Sequence, residues 1–225
     1  SDWEALEEAA EAASGGGGSG PGARRAAVII DPEFACAGPV AWDAGKFAAN
    51  LLIAFLAADG RRGSSSSPGG GEDTAVSHQQ AWLAASIPAF WATFTTSFAE
   101  LWDGAAAAGT GGALAPAPLV GADALDGAQA LALHQQTFFA DTLDGALRFG
   151  GAVLLRRVVG IAQVSDFRGL PDPACRGRAM AAALRVGRDM LVGGRAAFPG
   201  GWRDVVAAAE VALAAGRKEE AVAVA

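Results

Sequence analysis

Ala26-Ala27-Val28-Ile29-Ile30-Asp31-Pro32-Glu33-Phe34-Ala35-Cys36-Ala37-Gly38-Pro39-Val40-Ala41-Trp42-Asp43-Ala44-Gly45-Lys46-Phe47-Ala48-Ala49-Asn50-Leu51-Leu52-Ile53-Ala54-Phe55 is the stretch in which the hydrophobic period of this chain changes. Residues 26–30 form a short β-prone run, and Pro32 stops any ladder there while biasing Asp31 toward an extended backbone. From Asp43 onward the spacing is helical: Phe47, Leu51 and Phe55 recur four apart, and Asp43 is available as the N-terminal cap. The reading is a strand, a loop and then a helix ending near Asp59 and Gly60.

Upstream, residues 1–25 combine an acidic start with a Gly/Ser run of the kind that behaves as a tether. Downstream, two low-complexity segments, 60–76 and 103–125, read as loops. Between them, Ser77 and Gln80 have the spacing of a capping box and predict a helix start. That helix carries Phe90, Phe94, Phe98 and Trp102 four apart, a stripe expected in the core, and Pro88 is expected to kink or divide it. Leu131, Phe138, Leu143 and Leu147 predict a helix over residues 126–155, and two more are expected over 174–192 and 202–215. The sum is a mainly α fold with a small β element, ordered over residues 26–225.

The chain has 225 residues, 52% apolar and 18% charged, which suits a globular protein with a buried core. Much of the apolar share is alanine, so Leu, Val, Phe and the six Trp must supply most of the buried area. A net charge of -7 offers a phosphate backbone no broad cationic face, so nucleic acid is not an expected partner. Cys36 and Cys175 are far apart, and His78 and His134 lie near neither, which argues against a zinc site or a disulfide framework. The longest strongly apolar run, 51–58, is short for a bilayer, and the start does not read as a secretory signal. No membrane partner and a cytoplasmic location are the expectations. His78 and His134 read as surface residues and Cys36 as a small packed side chain.

Asp31 and Glu33 leave the end of the β run one residue apart, so alternation puts both carboxylates on one side. Magnesium takes a few carboxylate oxygens together with substrate phosphates, and this pair suits a metal-nucleotide site. Taken alone, the same residues also fit a solvated turn. On its own, Arg156-Arg157 reads as a helix end whose guanidiniums bond the last carbonyls or face solvent.

The string from Val28 through Leu52 resembles the corresponding stretch of S-methyl-5-thioribose kinases, within the aminoglycoside-phosphotransferase-like kinases. A second similar segment runs from Phe149-Gly150-Gly151 through Arg156-Arg157-Val158-Val159-Gly160 to Asp166-Phe167, and a looser one ends Phe98-Ala99-Glu100-Leu101-Trp102-Asp103. The resemblance covers residues 28–195. It implies the helical C-terminal lobe of a protein-kinase-like fold, with Asp31 and Glu33 holding Mg2+ at the ATP phosphates. It implies that Asp43 braces the catalytic loop and that Arg156 and Arg157 bind the sugar near the transferred phosphate. The implied reaction is ATP-dependent phosphorylation of the 1-hydroxyl of S-methyl-5-thioribose in methionine salvage, by a homodimer.

This sequence departs from that pattern in places. No Gly-rich strand turn with a phosphate-pairing lysine and no His-Gly-Asp catalytic loop precedes Asp31, so no catalytic aspartate is found. The expectation is a lobe whose N-terminal partner lobe is absent, incomplete alone, from a split, truncated or degenerate gene. Gln163 and Arg168 stand where the family tends to have His and an acidic residue. The alternative function is a non-catalytic, pseudokinase-like helical module for dimerisation or partner binding.

Overall fold

A computed structural model describes residues 38–61, 71–107, 127–160 and 164–224. These residues form helices α1 Val40–Arg61, α2 Gly71–Ala107, α3 Gly127–Val159, α4 Ser165–Arg168, α5 Pro173–Ala197 and α6 Trp202–Val224. All belong to one unit, Pro39–Ala225. No strand occurs among the described residues; the expected strand at 26–30 and the segment 1–25 lie outside them.

Helix α1 is the hub, packing against every other described helix. Ala48, Leu52, Phe55, Leu56 and Ala57 are essentially inaccessible on several of its faces, because alanine at close crossings lets neighbours approach while Leu and Phe fill the gaps. Its alanines and large apolar residues make α1 long and apolar enough, by length and composition, to cross a membrane. This corrects the expectation drawn from residues 51–58, which left out the flanking alanines. Within the fold 56% of that window is buried.

Helix α1 starts at Val40, so Asp43 lies in its first turn and not at its cap; there it still complements the helix dipole. Helix α2 runs from inside the segment 60–76 to inside the segment 103–125. Ser77 is therefore interior and cannot cap. Helix α2 packs on α1 and α6, and alanines 105–107 extend its end at no propensity cost. Pro88 does not divide it: the proline costs one ladder bond, and buried Leu83 and Ile87 before it and Phe90 and Trp91 after it pack on the core.

The aromatic stripe turns out to be a seam more than a core. Trp102 is buried, whereas Phe90, Phe94 and Phe98 are half-buried. Successive rings along α2 lie 5.8–6.3 Å apart, and Phe98 and Trp102 meet Phe138 of α3 at 5.3 and 5.1 Å. His134 is exposed beside Trp102, in line with the surface reading.

Glycines set the two tightest crossings. A Cβ on Gly45 of α1 would lie 2.4 Å from the Ala146 carbonyl oxygen of α3, and one on Gly151 of α3 would lie 2.5 Å from the Gly187 carbonyl oxygen of α5. Close backbone approach requires glycine at both.

Helix α5 begins at an Asp172 cap, whose carboxylate accepts from Ala174 N–H at 2.9 Å, with Pro173 in the first turn. It breaks at Gly194, where φ is 50° and ψ is -135°. Two side chains of α3 make up for the broken ladder. Arg148 Nη1 donates to the Leu191 and Val192 carbonyls at 3.0 and 2.9 Å, and Asp144 Oδ1 accepts from the Arg195 N–H at 2.8 Å. The Arg148 side chain, donating to Asp144 at 2.7 Å, and then the Arg195 N–H hold the Asp144 carboxyl below its ordinary 3.8. A carboxyl depressed on folding adds stability above its unfolded pKa and loses it as pH falls through the folded value. Asp144→Asn should therefore flatten stability against pH below about pH 4, by at most about 1 kcal/mol because both side chains are over a third accessible. Urea midpoints measured from pH 3 to 7 test this; parallel curves for the two proteins would count against the clasp.

Candidate functional site

Arg156 and Arg157 occupy the last turn of α3. The turn is set by Leu154 and Val158, both buried in the core, and closed by Gly160 N–H donating to the Arg156 carbonyl at 2.9 Å. With one apolar face fixed, consecutive positions 156 and 157 diverge by about 100° around the axis. Arg156 is exposed, and Arg157 is half-buried and engaged within the fold. Cations here also suit the negative end of the helix dipole, so the turn is electrostatically stable with or without an anion.

Asp43 lies exposed at the other end of this region, in the first turn of α1. Its neighbour Trp42 meets Phe149 of α3 edge-on at 5.2 Å, and Ala41 abuts Gly145. Asp43 is thus level with residues 145–149 of α3, whereas the arginines come seven to twelve residues later, on the order of 10–18 Å along the axis. The structure does not bring Asp43 and the arginine pair together. Asp31, Glu33 and Gln163 lie outside the described residues, and among the described residues no three His, Cys, Asp or Glu side chains cluster as a metal site would require.

The Phe149-Gly150-Gly151 segment, which carries part of the resemblance, has a packing role. Gly150 faces Met190, Trp202 and the Gly45 carbonyl, and Gly151 faces Gly187 and Leu191. These glycines seat α3 between α1 and α5 and so fix where its final turn emerges.

Sequence reasoning missed an ion-pair network around Asp59. Asp59 is 2% exposed near the end of α1, where a carboxylate opposes the helix dipole and needs a partner. It has two: Arg178 Nε of α5 donates to Oδ2 at 3.2 Å, and Arg217 of α6 pairs with Oδ1. Arg178 also pairs with Glu220, and its Nη2 donates to Cys175 Sγ at 3.3 Å, while the thiol donates to Asp172 at 3.1 Å. Burial pulls the Arg178 pKa down, but the bonds to Cys175 and Asp59 and the charge of Glu220 outweigh it, so the guanidinium is held more firmly charged. Burial, then the bond to Asp172, pushes the Cys175 thiol up, away from the thiolate. The available signal was the position of Asp59 itself, a carboxylate directly after an apolar run at the negative end of a helix.

The described residues are helical, and the exposed Arg156 guanidinium stands at the end of a core helix among them. No family model matches the chain. Among curated proteins, it is 32% identical over 169 residues to methylthioribose kinase 1 of Oryza sativa subsp. japonica, covering 74% of this chain and 35% of that protein. It is 30% identical over 167 residues to a methylthioribose kinase of Escherichia coli, covering 74% and 36%, and 33% identical over 167 residues to one of a Geobacillus strain, covering 73% and 32%. The chain is thus similar to methylthioribose kinases of a plant and of bacteria, and it spans about a third of the length of the curated relatives it matches.

Proposed function

We propose that the chain is the sugar-binding and metal-binding part of an ATP-dependent kinase that phosphorylates S-methyl-5-thioribose on its 1-hydroxyl, in methionine salvage. The observation that carries this reading is the similarity to methylthioribose kinases of a plant and of bacteria over about three quarters of the chain. An exposed Arg156 on a turn anchored by Leu154 and Val158 supports it.

In this reading Arg156 and Arg157 bind and orient the sugar beside the phosphate being transferred, their fixed charge and planar forks matching phosphate oxygens. Asp43 braces the catalytic loop supplied by the remainder of the enzyme. The donor chemistry of Asp31 and Glu33 fits Mg2+: two hard carboxylate oxygens leave room for phosphate oxygens and water. When bound, the metal supplies neutralisation of the nucleotide phosphates as charge is redistributed during transfer. The enzyme is a cytoplasmic homodimer that uses neither a membrane nor nucleic acid as partner.

The test is methylthioribose-dependent ATP consumption by this chain completed with an N-terminal kinase lobe. Saturable turnover with both lobes, and none with this chain alone, is the expected result. A folded two-lobe protein without turnover would overturn it in favour of a non-catalytic helical module.

A further inference from the structure

Between α1, α2 and α6 lies a cleft of about 530 Å³, a size typical of small-molecule sites. Phe55, Ala84 and Leu213 contribute apolar walls, and Asp59, Glu210 and Arg217 contribute charge. Arg217 is unlike a free surface arginine. Its Nη1 is anchored on the buried Asp59 carboxylate, its one hydrogen bond among the described residues, while its side chain remains 48% accessible. Asp59 takes Arg178 on its other oxygen, so both of its oxygens are satisfied without the rest of the Arg217 fork. A guanidinium fixed at one corner, with donors left over and lining an apolar cleft, is organised in advance for a planar carboxylate. Glu210 lies seven residues earlier on the same helix, and its charge opposes a dianion more than a monoanion.

We propose that this cleft binds a small monocarboxylate with an apolar chain, the carboxylate on Arg217 and the chain against Phe55, Ala84 and Leu213. The site is separate from Arg156 and Arg157 and does not depend on the kinase reading. Hexanoate is a suitable probe, followed by calorimetry on the full chain, with inorganic phosphate and hexylamine as comparisons. Saturable hexanoate binding with a dissociation constant on the order of 1 mM is expected, given so few ligand atoms. Ala84→Phe fills the cleft without touching the ion pairs, and Arg217→Lys keeps a cation beside Asp59 but loses the fork; each should weaken hexanoate at least tenfold in a protein that still melts cooperatively. Absence of saturable binding to the wild type, wild-type affinity in either variant, or tighter binding of phosphate or hexylamine would overturn the proposal.

Discussion

Asp59→Ala is expected to destabilise the fold by about 3–5 kcal/mol, the usual cost of removing one partner from a buried charge pair. Asp59 and Arg178 have side-chain accessibilities of 3% and 6%, so water cannot take over the lost interaction. Arg178 would keep only Glu220, whose side chain is 35% accessible, and the neutral thiol of Cys175. Arg217 can turn outward and contributes little to the loss. The network ties the end of α1 to α5 and α6, and those helices should loosen together. Urea unfolding followed by circular dichroism provides the test, with a lower midpoint and an unchanged slope as the expected result. A double-mutant cycle with Arg178→Ala should give a coupling above about 1 kcal/mol. A loss below about 1 kcal/mol in Asp59→Ala would mean that the pair is solvated.

Gly151→Val is the second large effect, at about 3 kcal/mol or more. Its Cβ would meet backbone atoms, the Gly187 oxygen at 2.5 Å and the Leu191 nitrogen at 2.6 Å, and backbone inside two packed helices cannot yield as a flexible side chain can. Helices α3 and α5 would have to separate, opening voids around Leu154 and Met190. Gly177 of α5 provides the contrast, since a Cβ there meets nothing within 4 Å. Gly177→Ala should stabilise by about 0.5–1 kcal/mol through helix propensity and a less flexible unfolded chain. Thermal melts of the two variants should move in opposite directions. A Gly151→Val protein melting with the wild type would contradict the close crossing.

The helices were legible where side-chain period and burial coincide. Leu51 and Phe55 marked α1, and Leu143 and Leu147 marked α3, because these residues lie in or against the core, whereas Phe47 of the same stripe is 50% exposed. Local signals misled where tertiary contacts or plain propensity dominated. Ser77 and Gln80 look like a start signal but lie inside α2, and Asp43 looks like a cap but lies in the first turn of α1. The stripe from Phe90 to Trp102 has core composition, yet much of it zips α2 to α3 at a half-exposed seam. Partnerships across more than a hundred residues, such as Asp59 with Arg178 and Arg217, have no local periodicity to reveal them. Of the candidate site, the arginine doublet was visible as a charged pair closing an apolar helix. Its separation from Asp43 was not, because it depends on how α1 and α3 cross at Gly45 and Ala146.

The most direct test of the functional account is the KM for S-methyl-5-thioribose in ATP turnover by the two-lobe enzyme, wild type against Arg156→Ala/Arg157→Ala. On the proposed reading the double variant loses the forked donors at the sugar and its incoming phosphate, and KM should rise at least about tenfold. An unchanged KM in the double variant, or wild-type ATP consumption indifferent to methylthioribose, would contradict it.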